Sequence, residues 1–320
     1  MRAGDGPLRV AAIGVGYLGR HHARLLSALD GVALTAVVDT NRARAEEIAA
    51  GTGARAFTSV REVLDDIDAA TIAVPTETHA EIALACLARG IPVLVEKPIA
   101  RSLAEADAMI AAAARAGVPL AVGHTERYNP AVEAARSLLD APRFIEVHRL
   151  GTFPERSLDI DVVFDLMIHD LDVTLSLVRS EVTSIEAVGV PVLTGRVDIA
   201  NARLRFADGC IANLTASRIS RDRVRKIRFF QHAAYISIDY AAQKVECWRL
   251  VRADGGRPSI EGGEIDVPHE EPLKRELTDF VTAVRTGGRP GVTGEDGRRA
   301  LALAAAITEA MQQEASRVRA

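Results

Sequence analysis

The chain has 320 residues, 48% of them hydrophobic and 26% charged, with a formal net charge of −4. That length predicts about two domains of ordinary globular composition. Basic residues are scattered among acids, which argues against nucleic-acid binding, and no window approaches the roughly 18 consecutive apolar residues of a membrane span.

Cys86, Cys210 and Cys247 are odd in number and lack metal-ligand spacing. Neither a disulfide framework nor a metal site is expected, and a reducing compartment fits. Residues 1–8 carry no apolar stretch of signal-peptide length, so the expectation is a cytoplasmic protein.

Residues 8–14 (LRVAAIG) form a short apolar run ending in glycine and predict a buried parallel strand. A helix is predicted over 17–29, a strand over 32–38 and a helix over 42–50. Strands over 69–74, 92–95 and 119–122 then alternate with helices over 78–88 and 103–116. Such alternation implies an α/β fold whose N-terminal part is a Rossmann-type, doubly wound parallel sheet.

Gly14-x-Gly16-x-x-Gly19 follows the first strand and opens the first helix, with Asp39 20 residues beyond the last glycine. In that context the hexapeptide is a dinucleotide fingerprint. Gly14 permits the tight turn, Gly16 the approach of a pyrophosphate, and Gly19 close helix–strand packing. The helix N-terminus offers free N–H groups to the anion. Asp39 can bind the adenosine ribose hydroxyls and repel a 2′-phosphate, which favours NAD over NADP. Arg42 and Arg44 stand close enough in sequence to soften that repulsion. Thr76 and His79 follow the strand over 69–74, at the carboxyl edge where ligands of such sheets bind. The alternative for His79 is an exposed residue starting a helix.

The strand over 92–95 runs into Glu96-Lys97-Pro98. Pro98 holds Lys97 extended, which fixes the direction of an ammonium able to stabilise a developing alkoxide. A salt-bridged loop lysine is the alternative. The glycine fingerprint, Asp39, Pro75-Thr76-x-x-His79 and Glu96-Lys97-Pro98 together resemble the Gfo/Idh/MocA oxidoreductase family in order and spacing. The resemblance implies a second α/β domain with an open, mostly antiparallel sheet, and nicotinamide-dependent oxidation or reduction of a sugar or cyclitol hydroxyl, with Lys97 catalytic. The cofactor-binding set expected here is Gly14, Gly16, Tyr17, Leu18, Gly19, Asp39, Thr76, His79, Glu96 and Lys97.

Residues 1–125 are expected to form the NAD-binding domain, 126–290 a substrate and oligomerisation domain, and 291–320 a terminal helix packed on the body of the protein. After Asn129-Pro130 a helix is predicted to residue 139, then a strand over 144–151. Ala200, Ala202, Leu204 and Phe206 alternate with polar residues, as do Ala212, Leu214 and Ala216, which predicts antiparallel strands with one buried face. The opposite face is polar, and the resemblance implies that it joins subunits into a dimer or tetramer. Residues 252–263 are polar and glycine-rich and predict a hairpin loop. Helices are predicted over 271–284 and 297–317.

Asp165-Leu-Met-Ile-His169-Asp170-Leu-Asp172 carries the second chemical signal. On an α-helix Asp165, His169 and Asp172 share a face and Asp170 points elsewhere. An imidazole flanked by carboxylates suits a base that takes a hydroxyl proton as hydride leaves the same carbon. A structural polar network is the alternative. Family members share this Asp-x-x-x-His-x-x-Asp pattern, so the resemblance makes Asp165 and His169 catalytic partners of Lys97. Val162, Val163, Phe164 and Met167 stand where many members have glycines. This version, with His124-x-Glu126-Arg127-Tyr128-Asn129-Pro130, is most similar to a nucleotide-sugar subgroup that oxidises the 3-hydroxyl of a UDP-N-acetylhexosamine. The expected substrate-binding set is Lys97, Arg127, Asn129, Asp165 and His169, with the Arg127 guanidinium suited to diphosphate oxygens. For Arg127 and Asn129 a structural hinge is the alternative. A dehydrogenase or reductase of another sugar, an inositol or a bilin is the second enzymatic reading, and a non-catalytic NAD-binding sensor the reading of another class.

Overall fold

The structure is a computed structural model that describes residues 6–153, 160–252 and 257–319. The chain divides into two compact units, one of Met1–Thr125 with Glu271–Leu301, the other of Glu126–Glu270 with Ala302–Ala320.

The first unit contains strands β1 (Leu8–Ile13), β2 (Val32–Val38), β3 (Arg55–Phe57), β4 (Ala69–Ile72), β5 (Val93–Glu96) and β6 (Leu120–Gly123). They form one parallel sheet in the order β3-β2-β1-β4-β5-β6, as the alternation of apolar runs and helices implied. Helices α1 (Gly19–Leu26), α2 (Arg42–Thr52), α3 (His79–Leu87) and α4 (Leu103–Ala116) alternate with the strands. β4 and β5 are wholly buried and β1 is buried from Val10 onward, as strands covered on both faces must be. The predicted helix over 17–29 is shorter at both ends, because residues 14–18 make the turn that the glycines permit. β3 has only three residues and half-exposed side chains, too short for a periodicity signal.

Helix α7 (Pro272–Thr286) corrects the expected domain boundary at 290. Its stripe of Leu277, Phe280, Val281 and Val284 is buried in one core with Val10, Ala12, Leu25, Leu26 and Leu94 of the first unit. Burying such a stripe is what holds an amphipathic helix in place. Pro272 at its start and Gly287, with φ of 64°, at its end bound the helix. Helix α8 (Gly294–Arg319) contributes its opening residues to the first unit and those from Ala302 onward to the second.

The second unit has β7 (Phe144–Leu150), β8 (Val182–Val190), β9 (Ile199–Phe206), β10 (Ile211–Ser217), β11 (Val224–Gln231), β12 (Ala234–Asp239), β13 (Lys244–Val251) and β14 (Ser259–Ile265). They pair in the order β14-β13-β12-β11-β7-β10-β9-β8, antiparallel except for β7 with β10. Ala200, Ala202, Leu204 and Phe206 are buried beside Ala212, Leu214 and Ala216, as their period of two predicted. Residues 259–263 of the expected loop are strand: Gly262 lies so close to β13 that a Cβ would stand 1.9 Å from the Cys247 carbonyl oxygen. Helices α5 (Pro130–Arg136) and α6 (Ile168–Leu177) complete this unit, and a π-helical turn, Val163–Met167, leads into α6.

Candidate active site

In the first unit the chain turns sharply after β1. Gly14 has φ of +77°, and a Cβ there would stand 2.6 Å from the Ala73 carbonyl oxygen; a Cβ on Gly19 would stand 1.7 Å from the Gly14 carbonyl oxygen. Only glycine fits either position. Helix α1 begins without a side-chain cap and without an acidic residue in its first turn. Its N–H groups therefore carry uncompensated positive character, which suits a pyrophosphate. Tyr17 and Leu18 are exposed at the loop's tip, 55% and 44%, with the Arg20 guanidinium 5.1 Å from the Tyr17 ring centroid.

Asp39 follows β2 and is buried. Its Oδ2 accepts from the Val15 N–H at 3.0 Å and its Oδ1 from the Asn41 N–H at 2.8 Å. The carboxylate is thereby fixed against the glycine loop. Of the two arginines near it in sequence, Arg44 reaches it, with Nη1 at 3.4 Å, whereas Arg42 pairs with Glu46 along α2.

Thr76 is half-buried and opens a 3-10 turn, Thr76–Thr78, beyond β4. His79 is not the exposed helix-start residue of the alternative reading. It is buried, and its Nδ1 and Nε2 lie 2.9 Å from the carbonyl oxygens of Pro98 and Val74. The ring ties the turn after β4 to the turn after β5 and leaves no nitrogen for a ligand. Burial holds its pKa below the ordinary histidine value, although both carbonyls pull the other way.

Glu96 ends β5 and is buried, whereas Lys97 is half-buried. Glu96 Oε1 lies 3.0 Å from His22 Nε2 and Oε2 accepts the Lys97 N–H at 3.2 Å. Burial would push the carboxyl up, but the His22 hydrogen bond, His22 and Lys97 outweigh it and hold it below the usual carboxylate range. The Lys97–Pro98 peptide bond is cis.

In the second unit Asp165 lies in the π-helical turn and His169 in the first turn of α6; both are half-buried. The segment is not a continuous α-helix, so the four-residue spacing does not by itself put them on one face. Bonds from Val197 N–H to Asp161 Oδ1 at 3.0 Å and from Arg218 Nη1 to the Ile160 carbonyl at 2.7 Å hold the start of this segment. π-helical turns recur at functional sites.

The two carboxylates that follow His169 along α6 both have arginine partners. Asp170 is buried and accepts from Arg149 Nε at 2.6 Å and Nη2 at 3.0 Å, a two-pronged pair. Arg149 Nη1 also donates to Glu126 Oε1 at 3.1 Å. Burial disfavours charge on both members of the Arg149–Asp170 pair, pushing Asp170 up; for Arg149 the two carboxylates outweigh it and raise the pKa, so the guanidinium stays charged. Asp172, three residues beyond His169 on α6, accepts from Arg127 Nη1 at 3.3 Å, and the Arg127 side chain is only 12% exposed. Asn129 is 1% exposed. Its Oδ1 caps α5 by accepting the Ala131 N–H, and its Nδ2 donates to the Tyr240 carbonyl and to Glu126 Oε2. These bonds fit the hinge alternative for Asn129, and Arg127 is tied to Asp172 through one nitrogen of its guanidinium.

His22, Glu126, Arg149 and Asp170 had not been assigned a site role from the sequence. Arg149 did carry a signal, since it continues the inward phase of Ile145 and Val147 on β7. A charge in that phase needs a buried partner.

A family model described as "Oxidoreductase family, NAD-binding Rossmann fold" matches residues 8–124, and the "GFO/IDH/MocA C-terminal domain" matches residues 135–236. The chain is 38% identical to UDP-N-acetylglucosamine 3-dehydrogenase of Acidithiobacillus ferrooxidans over 95% of this chain and 97% of that one. The solved structure of that enzyme superposes with a TM-score of 0.89, covering 96% of this chain and 98% of that one. Myo-inositol 2-dehydrogenase of Thermotoga maritima is 26% identical over 97% and 98% of the two chains. With both sheets and the glycine loop in place, this chain belongs to the Gfo/Idh/MocA family of oxidoreductases with an NAD-binding Rossmann fold.

Proposed function

We propose that this protein is an NAD-dependent dehydrogenase that oxidises the 3-hydroxyl of a UDP-N-acetylhexosamine to a ketone. The observation that carries this reading is the 38% identity, along nearly the whole of both chains, to a UDP-N-acetylglucosamine 3-dehydrogenase.

The glycine loop and the uncapped start of α1 fit a dinucleotide. When bound, NAD supplies the hydride acceptor. The α1 N-terminus holds the pyrophosphate, and the anchored Asp39 carboxylate accepts from the ribose hydroxyls and repels a 2′-phosphate, which supports NAD over NADP. Lys97 hydrogen-bonds the reacting oxygen and stabilises the charge that develops on it. His169 takes the hydroxyl proton, and Asp165 supports the imidazolium so formed. In balance, the carbon loses a hydride, the oxygen loses a proton to His169, and a carbonyl remains.

The protein acts in the cytoplasm on this reading. No described helix is long and apolar enough to cross a membrane. Assembly into a dimer or tetramer through the outer sheet face is supported by a row of aromatic side chains there. Phe144, Phe230, Tyr235 and Trp248 are register partners on β7, β11, β12 and β13, and Trp248 is 42% exposed.

The test is to incubate the protein with NAD and a panel of UDP-sugars, free sugars and inositols while following nicotinamide absorbance. Turnover confined to UDP-N-acetylhexosamines is expected. Lys97→Met then lowers kcat about 10²–10³-fold with little change in NAD affinity, as for loss of one donor to a developing oxyanion. Turnover of inositols alone moves the substrate to the second enzymatic reading, and NAD binding without turnover points to a sensor.

A further inference from the structure

We propose that His22, through its hydrogen bond to Glu96, is a positioning residue that ties the cofactor-holding helix to the turn carrying Lys97. This deepens the functional reading and rests on its assignment of Lys97 as catalytic.

The observation is a buried polar pair in an apolar setting. His22 lies on the inward side of α1 with Ala23, Leu25 and Leu26, all buried, and is itself 1% exposed. Its Nε2 is 3.0 Å from Glu96 Oε1. A carboxylate only accepts, so Nε2 carries the proton. His22 Nδ1 has no hydrogen-bond partner among the described residues. An imidazole with one satisfied nitrogen, facing a buried carboxylate, is a poor choice for stability alone, because well-packed apolar residues at such places are commonly neutral or better.

What the pair does is restrict Lys97. The other Glu96 oxygen accepts the Lys97 N–H, and the next residue's carbonyl, that of Pro98, is held by His79. Lys97 is therefore fixed from both sides along the backbone. The space beneath Glu96 is also shaped for it. Gly123, its register partner on β6, would place a Cβ 3.0 Å from the carboxylate, so a larger residue there would push the carboxylate aside. Because α1 starts at the glycine loop, one hydrogen bond links the part that holds the pyrophosphate to the part that aims the ammonium. A misplacement of about 1 Å is enough to cost on the order of 10²-fold in rate.

The test compares wild type, His22→Phe, His22→Gln, Glu96→Gln and Lys97→Met. Glutamine places an N–H where Nε2 stood; phenylalanine fills the space without one. Kinetics are joined to a readout that needs no substrate: the rate at which acetic anhydride modifies Lys97, followed by mass spectrometry. Lys226, Lys244 and Lys274, the chain's other lysines, serve as internal standards. His22→Phe is expected to lower kcat about 10–100-fold, leave the NADH dissociation constant unchanged and change the Lys97 modification rate severalfold against the standards. His22→Gln recovers most of the wild-type behaviour, and Glu96→Gln, which keeps the shape, moves Lys97 in the same direction as His22→Phe. Wild-type kcat or an unchanged Lys97 rate in His22→Phe overturns the proposal. So does a parallel change at all four lysines, which marks general loosening. Normal turnover of Lys97→Met defeats the catalytic assignment instead, and the labelling of Lys97 still reports whether the tie exists.

Discussion

The two units hold their chemical residues by different means. Around Lys97 the restraints run mostly through the main chain: a strand end, a following proline, a carbonyl clamp from His79 and the Lys97 N–H donated to Glu96, whose carboxylate is in turn held by His22. In the second unit they are long-range pairs of full charges, with Arg149 on Asp170 and Glu126, Arg127 on Asp172, and Arg218 on Asp198. Backbone geometry is cheap to bury because each group already has a partner in the fold. Buried charge is costly unless its geometry is complete, so it stabilises little but penalises any missing member severely. Apart from the buried His22–Glu96 pair, the first unit should therefore tolerate polar substitutions that the second does not.

The sharpest way to break that contrast is Arg149→Met. Arg149 and Asp170 have side chains only 5% and 2% exposed, and removal of the cation leaves two carboxylates facing an apolar methionine. A loss of about 3–5 kcal/mol is expected in urea unfolding of the second unit. Adding Asp170→Leu should restore part of it, since the uncompensated charge is then gone. A small loss in the single variant, or no recovery in the double, would show that water or rearrangement satisfies the site and that the contrast is overstated.

The same contrast explains what was legible in the sequence. Gly14, Gly19, Asp39 and Glu96-Lys97-Pro98 are local signals, because a tight turn, a close approach and a strand end each leave a residue type at a fixed offset. The sheet order of the first unit followed from alternating apolar runs for the same reason. His79 was placed correctly along the chain, yet its work is set by carbonyls 5 and 19 residues away, which no offset encodes. That Asp170 points away from His169 and that Asp172 shares its face are α-helical spacings, and all three residues lie within α6; what no offset encodes is the partner each carboxylate takes. Their partners, Arg149 and Arg127, come from 21 and 45 residues away. Strand β14 was hidden by its glycines, which read as a loop until pairing with β13 shows that one of them is needed there.

Acid should separate the units next. Asp198 is fully buried and accepts the N–H groups of Val192, Leu193 and Thr194, the Thr194 hydroxyl and Arg218 Nε. Burial alone would push its carboxyl up, but these donors hold it well below the usual range. A depressed folded-state pKa means stability that is fully present above the unfolded value, about 3.9, and lost as pH falls through the folded one. Asp198→Asn should thus cost about 1.5–3 kcal/mol at pH 7, with a gap from wild type that narrows below about pH 4. Urea midpoints at pH 7, 4 and 3 measure it. A gap of constant size would mean that Asp198 is protonated in the fold already.

The smallest expected effect is a difference in timing between thiols. Burial pushes the Cys86 thiol in the first unit up to about 12 and the Cys210 thiol in the second up to about 11, Asp208 adding to the latter. At pH 8 almost none of either is thiolate, so a maleimide should react with both far more slowly than with an unfolded cysteine. Any labelling then reports opening of the surrounding structure rather than intrinsic reactivity. In Arg149→Met at low urea, Cys210 and Cys247, both in the charge-held unit, should label before Cys86, whereas in wild type the three should remain protected together. Labelling of all three at one rate in the variant would mean that the loss at Arg149 spreads through the whole chain, and that charge and backbone restraint are not separable in this fold.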